Sequence, residues 1–186
     1  METFGRYLNV VDVEATCWDG PPPPGQVGEI IEIGLCVVDT ISLERVERHQ
    51  IVVRPQHSEV SDFCTRLTGW TAAEVGAGLT FREACERLRR QHHADSRAWA
   101  SWGDYDRKQF GRQCEAELVA YPFGARHTNA KAEFSRAHAL TKRLGMHQAL
   151  EHAGLPLEGR HHCGADDAWN IGALVLDLIR RGDWAA

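Results

Sequence analysis

An aspartate interrupts the first apolar run of the chain. Residues 7–13 read Tyr-Leu-Asn-Val-Val-Asp-Val, apolar enough for a buried strand except at Asn9 and Asp12. A carboxylate in such a run is costly to bury unless it is paired or bound to a cation. Residues 29–38, Glu-Ile-Ile-Glu-Ile-Gly-Leu-Cys-Val-Val, predict a second strand, and a third centres on residues 50–53 and ends at Pro55. Between the first two, Trp18-Asp19-Gly20, the prolines at 21–24 and Gly25 make a loop, because proline cannot donate to a ladder and holds the chain extended. Three meandering strands at the start predict antiparallel pairing.

Helical signals come next along the chain. Ser61 is placed to cap a short helix over 61–67, and Thr71-Ala-Ala-Glu74 fits a capping box. Thr80-Phe-Arg-Glu83 repeats that signature at the head of a longer helix through Phe81, Ala84, Cys85 and Leu88. Residues 97–102 read as a strand, Asp106 to about Leu118 has helical spacing, and 125–132 predicts one more short strand. A helix over 146–153 stops at Gly154 and Pro156, and the last runs from about Ala165 to Arg181, with Ile171, Leu174, Val175 and Leu178 on one face. The order β-β-β-α-β-α-β-α-α describes a mixed sheet flanked by helices, an α/β layer fold.

A length of 186 residues predicts one domain, with its core over about 6–182. No apolar run approaches a bilayer span and residues 1–10 lack a signal-peptide layout, so a cytoplasmic protein is expected. Cys17, Cys36, Cys64, Cys85, Cys114 and Cys163 contain no CxxC pair and read as reduced, mostly buried thiols. His161, His162 and Cys163 raise a zinc hypothesis, but three adjacent side chains converge poorly on one tetrahedral ion, and no second ligand pair sits at a familiar spacing. The net charge of −5 does not resemble a phosphate-binding surface, though divalent cations at a carboxylate cluster would offset part of it.

Three motifs carry the chemistry. Asp12 and Glu14 alternate along a strand, so their carboxylates project to one face with Cα atoms about 7 Å apart; alone, they read as two acids facing water. Trp102-Gly-Asp104-Tyr105-Asp106 lies where a strand gives way to a helix, the end at which α/β sheets gather ligands; alone, it reads as an N-cap and a first-turn acid. His161-His162-Cys-Gly-Ala-Asp166-Asp167 enters the last helix, where a histidine beside a carboxylate can take a proton near neutral pH; the ordinary reading is again a surface histidine pair and capping acids.

In combination and in this order, the motifs resemble the DEDDh branch of the DnaQ-like exonucleases, and more narrowly its Eri-type, KapD-like group, relatives of the histone-mRNA 3′-exonuclease. The segments that carry the resemblance are residues 10–18 (Val-Val-Asp-Val-Glu-Ala-Thr-Cys-Trp), 29–34 (Glu-Ile-Ile-Glu-Ile-Gly), Phe63-Cys64 with Leu67-Thr68-Gly69, residues 101–106, and His162-Cys-Gly-x-Asp166-Asp167 with Asn170-Ile171. The resemblance implies a ribonuclease H-like mixed sheet, three antiparallel strands followed by parallel ones, and a metal-dependent 3′→5′ exonuclease. Position by position it implies Asp12, Glu14, Asp106 and Asp167 as metal ligands and His162 as general base. Tyr105 directly before Asp106 satisfies the pattern better than any residue before Asp104, and His-x4-Asp from His162 reaches Asp167 rather than Asp166. The sister branch would need tyrosine at position 163, which is cysteine.

Family resemblance also implies a two-metal hydrolysis, with two Mg²⁺ (Mn²⁺ substituting) about 3.5–4 Å apart clamping the attacking and leaving oxygens. Asp12 would bridge them, Glu14 and Asp167 would sit beside one ion, and Asp106 would reach the other side through water. The expected products are nucleoside 5′-monophosphates cut from single-stranded 3′ ends, RNA favoured. Terminal-base stacking, about 1–3 kcal/mol per base, is expected at Tyr105, with Phe63 and Trp70 as further candidates that could equally be core. The backbone at Ala15 and Thr16 is the expected contact to the terminal sugar, where a 2′-OH contact would select RNA. Arg126, Lys131, Arg136, Lys142, Arg143 and Arg160 form either a phosphate track or an ordinary solvated surface. The alternatives are a DNA-directed 3′→5′ exonuclease and a catalytically silent RNA- or protein-binding regulator. No membrane contact is expected, and no protein partner can be inferred.

Overall fold

All ten residues of one strand, β2 (Ile30–Asp39), are buried, because helices cover both faces of the sheet it belongs to. The computed structural model describes residues 5–184. Its elements are β1 (Tyr7–Ala15), β2, β3 (Glu44–Val52), α1 (Asp62–Thr68), α2 (Ala72–Gly76), α3 (Phe81–His92), β4 (Ala98–Ser101), α4 (Tyr105–Glu117), β5 (His127–Asn129), α5 (Ala130–Ala137), α6 (Met146–Ala153) and α7 (Gly164–Arg181). The strands lie in the order β3-β2-β1-β4-β5. β1 pairs antiparallel with β2, and β2 with β3, while β1–β4 and β4–β5 are parallel. This is the mixed sheet expected from the sequence pattern.

Side-chain alternation along β1 sorts the two layers. Val11 and Val13 pack with Leu35, Val37, Phe81, Leu88, Trp99 and Phe110, the layer formed with α3 and α4. Leu8 and Val10 pack with Cys36, Val38, Phe134, Leu150, Ile171 and Leu174, the layer formed with α5, α6 and α7. Asp12 and Glu14 continue the Leu8–Val10 row, so both acids point toward the start of α7.

The caps behave as their residues dictate. Ser61 accepts from Cys64 N–H, and the Thr71/Glu74 and Thr80/Glu83 pairs complete reciprocal capping boxes. Two expectations need correction. β3 begins at Glu44, well before the apolar centre at 50–53; as an edge strand it leaves most of that polar stretch in water while its backbone pairs with β2. The strand expected over 125–132 stops at Asn129, whose side chain accepts from Ala132 N–H at 3.0 Å and starts α5, a helix the sequence pattern did not reveal. None of the helices among the described residues is long and apolar enough to cross a membrane.

One close approach positions α7. The backbone of Gly164, the first residue of that helix, lies against Gly34 of β2, and a Cβ on Gly34 would overlap the Gly164 carbonyl. Gly34 is the partner of Asp12 across the β1–β2 ladder. Two glycines therefore let the helix start press onto the sheet beside the first acid.

Candidate active site

The parallel strands β1 and β4 end on the same side of the sheet, and the acids gather there. Asp12 and Glu14 come from the second half of β1, Asp106 from the first turn of α4 immediately beyond β4, and Asp167 from the first turn of α7. Carboxylate oxygens of Asp12, Glu14 and Asp167 lie within 4.8 Å of one another. Asp106 is buried, and its Oδ1 accepts the N–H of Val13, the residue between Asp12 and Glu14, at 3.0 Å. Asp167 is buried too; its Oδ2 accepts the backbone N–H of His162 at 3.0 Å and lies 3.0 Å from His161 Nδ1.

So many acids in little water hold their protons tightly. Burial raises the Asp12 carboxyl well above its ordinary range, and the charges of Asp106 and Glu14 add to it. Burial and then Asp167 push Glu14 up to about 8. Burial raises Asp106 to about 6 against the Val13 hydrogen bond, and it raises Asp167 against the neighbouring His161. A divalent cation removes the cause, since it replaces mutual repulsion with attraction and takes hard oxygen ligands. The donor set fits such ions.

These shifts set the sign of the pH response. Glu14 releases its proton near its ordinary 4.5 when unfolded but near 8 when folded, so at this group the metal-free native state binds the extra proton, whereas His92, held down to about 4, acts with the opposite sign below its ordinary 6.5. Metal-free stability is therefore expected to fall as pH rises from about 6.5 to 8. Added Mg²⁺ or Mn²⁺ should raise the Tm by more at pH 8 than at pH 5. Thermal melts in EDTA and in metal check this; a metal-free Tm that climbs across the window would contradict it.

The neighbouring acids are occupied elsewhere. Asp104 pairs with Arg107 and accepts from Asn129 Nδ2 at 3.0 Å. It stands at the N-cap of α4 without a side-chain cap bond. Asp166 is ion-paired with Arg48 and accepts the Arg160 N–H at 2.7 Å. Both histidines reach the cluster: ring nitrogens of His161 and His162 and an Asp167 oxygen lie within 4.8 Å of one another. Their rings stack at 4.0 Å, and His162 has a left-handed backbone with φ 65°. Burial and His161 lower the His162 pKa. Cys163 does not join them; its Sγ faces Glu32 and Gln50.

Glu32 is the functional-site neighbour that motif reasoning left without a role. It is fully buried opposite Glu14 in the β1–β2 ladder. It accepts from Trp70 Nε1 at 2.6 Å, Gln50 Nε2 at 2.8 Å and Ala165 N–H at 3.0 Å, tying α7's start to β3 and to the loop after α1. The signal was present, since Glu32 interrupts an apolar strand as Asp12 does.

The expected nucleotide contacts differ in availability. Tyr105 is 58% exposed, next to Asp106. Phe63 is half-buried on α1. Trp70 packs on Ile31, Cys64 and Val75 with its indole nitrogen committed to Glu32. Ala15 and Thr16 are buried, and the Thr16 N–H already donates to Glu29 O at 2.8 Å. The six basic residues do not form one track. Arg126 precedes β5, at the opposite end of the parallel strands from the acids, and Arg136 bonds Glu133 and the Asp183 carbonyl. Arg160 lies near Glu14, with its guanidinium on the Leu67 carbonyl at 3.1 Å.

Comparisons with known proteins agree with this arrangement. Residues 10–175 match the RNase_T exonuclease family model. The chain is 29% identical to human 3′-5′ exoribonuclease 1 over 97% of its own length and 54% of the relative's, so it spans about half of that protein. It is 30% identical to the Drosophila melanogaster 3′-5′ exonuclease Snipper, covering 95% of this chain and 70% of the relative. Among solved structures, the nuclease domain of 3′hExo, a DEDDh family member bound to rAMP, superposes with a TM-score of 0.83 at 28% identity, covering 98% of this chain and 96% of that one.

Proposed function

Because the chain belongs to the RNase_T exonuclease family, in the Eri-type group of its DEDDh branch, we propose that it is a 3′→5′ exonuclease releasing nucleoside 5′-monophosphates from single-stranded 3′ ends, with RNA preferred over DNA. The observation that carries the reading is the convergence of Asp12, Glu14 and Asp167 at the carboxyl end of the sheet, with Asp106 buried on the Val13 N–H between the two acids of β1. The human relative's name and the ribonucleotide in the matched structure favour RNA.

The family depends on divalent metal, and we assign Mg²⁺ as the ion, with Mn²⁺ able to replace it. Asp12, Glu14, Asp106 and Asp167 are the residues assigned to hold it. Bound there, the ions supply Lewis-acid stabilisation of charge on the phosphate and make a coordinated water easier to deprotonate. His162, neutral near pH 7 because burial lowers its pKa, takes the proton of the attacking water. Water oxygen bonds to phosphorus as the P–O3′ bond breaks, and the leaving O3′ takes a proton from solvent, so the shortened strand keeps a 3′-hydroxyl. Tyr105 is assigned to the terminal base, with Phe63 a further candidate and Trp70 a lesser one. The sugar contact is assigned to backbone groups of Ala15 and Thr16 other than the Thr16 N–H.

The test is cleavage of end-labelled RNA and DNA oligonucleotides in Mg²⁺, Mn²⁺ or EDTA. Mononucleotide release from the 3′ end, faster on RNA and absent in EDTA, is expected. No release from either polymer in any metal would sink the enzyme reading, and faster DNA cleavage would overturn the RNA preference alone.

The two histidines separate by kinetics. His162→Ala should lower kcat about 10²- to 10⁴-fold with KM little changed, the scale of a lost general base. His161→Ala removes a partner of Asp167 and the ring stacked on His162 and should cost about 10- to 100-fold, much of it restored by higher metal concentration. Exchanged outcomes would make His161 the base.

A further inference from the structure

Two residues of the exposed edge strand and the last residue of α3 bring three metal-ligating groups together on the opposite face of the sheet from the carboxylate cluster. Glu47 and His49 alternate on β3 and project to one face of the sheet. His92 closes α3 and meets them: ligand atoms of Glu47, His49 and His92 lie within 4.8 Å of one another. The two imidazole rings are 4.2 Å apart, tilted by 52°, and His49 Nε2 is 2.7 Å from Glu47 Oε2.

His92 is the unexplained member. It is only 4% exposed, and neither of its ring nitrogens has a hydrogen-bond partner. A neutral imidazole carries one donor and one acceptor, so a buried ring with both unmatched is expensive and calls for a reason. Burial and then His49 hold its pKa down to about 4, which leaves a neutral ring with a lone pair ready to bind. The C-terminal end of a helix also favours a positive charge. Arg87 and Arg97 lie near the ring and oppose a cation, while Glu47 favours one.

We propose that Glu47, His49 and His92 bind a divalent transition-metal ion of the Zn²⁺ class, which fastens edge strand β3 to the end of α3. Two imidazole nitrogens and one carboxylate oxygen are a zinc donor set that leaves the fourth tetrahedral position to water. Mg²⁺ prefers oxygen ligands alone, so this site and the carboxylate cluster select different ions. A bound ion would replace the His49–Glu47 hydrogen bond and give His92 the partner it lacks. It would also restrain an edge strand whose outer residues have little apolar packing.

The chain carrying Asp12→Asn and Asp167→Asn, which weaken the carboxylate cluster, is loaded with Zn²⁺ and dialysed against excess Mg²⁺. One Zn²⁺ per chain should remain by elemental analysis, with a raised Tm, and Co²⁺ in its place should give the strong visible absorption of a tetrahedral site. Adding His49→Gln, at a half-exposed position that circular dichroism can show to be tolerated, should weaken retention by about tenfold or more and abolish the Tm increase. His92→Gln should do the same. No retained Zn²⁺, or retention unchanged by His49→Gln, would overturn the site and identify any binding as adventitious. Neither outcome bears on the exonuclease reading, which is tested by cleavage.

Discussion

Replacing Asp106 by asparagine is expected to reduce turnover by about 10³-fold or more, while Asp104→Asn leaves it within about twofold. Loss of a group that merely supports a metal ligand costs about 10- to 100-fold, and one misplaced transition-state contact about 10²- to 10³-fold. Removing an assigned ligand charge should exceed the first and reach the upper end of the second. Asparagine keeps the shape of Asp106 and an oxygen for the Val13 N–H, so the substitution isolates charge from fold. Asp104 is partly exposed and bonded to Arg107 and Asn129, contacts whose loss falls in the range of surface changes, within about 0.5 kcal/mol. Single-turnover cleavage of a labelled RNA by both variants, with melting curves as a fold control, decides it. An active Asp106→Asn beside an inactive Asp104→Asn would reverse the assignment.

These two acids also mark what the chain's order of residues makes legible. Asp104 and Asp106 are neighbours with the same chemistry, and spacing alone suits either to a helix start. The resemblance selects Asp106, and the fold supplies the reason: Asp106, inside the helix, meets Val13 of β1, and Asp104, at its N-cap, meets Asn129 at the start of α5. Asp12 and Glu14 were legible as a same-face pair because strand alternation is rigid, and the α7 stripe of Ile171, Leu174, Val175 and Leu178 because helical spacing is. β3 was half-legible. An edge strand needs no apolar pattern, so Glu44 to His49 pair with β2 while reading as loop. α5 was hidden because its cap, Asn129, is also the last residue of β5, and two elements share one boundary. Glu32 and the Glu47–His49–His92 group escaped for a common cause. Their partners come from distant segments, and a lone acid or histidine shows nothing until the fold brings them.

The second large effect is expected at a residue with no side chain. Gly34→Ala should cost about 3 kcal/mol, the upper end for overpacking, because the new Cβ meets the backbone of Gly164 and Ala165 rather than a side chain that could rotate away. For a chain of this length that is a Tm loss on the order of 10 °C. Activity should fall as well, beyond what unfolding explains. α7 carries Asp167 in its first turn and His162 just before it, while Gly34 sits beside Asp12 in the ladder; a shift of the helix start separates the acid on the helix from the two on β1. The control is Gly76→Ala, a helical glycine whose added Cβ meets nothing within 4 Å and which should be neutral or slightly stabilising. Melting curves together with kcat measured at a temperature where both variants are folded separate the two effects. Gly34→Ala with normal kcat and lowered Tm would mean that the helix yields without moving Asp167, and an unchanged Tm would mean that β2 and α7 are not in contact as described. Should both quantities fall, the site's precision resides in the closeness of two backbones, and the carboxylates are held together by what positions 34 and 164 lack.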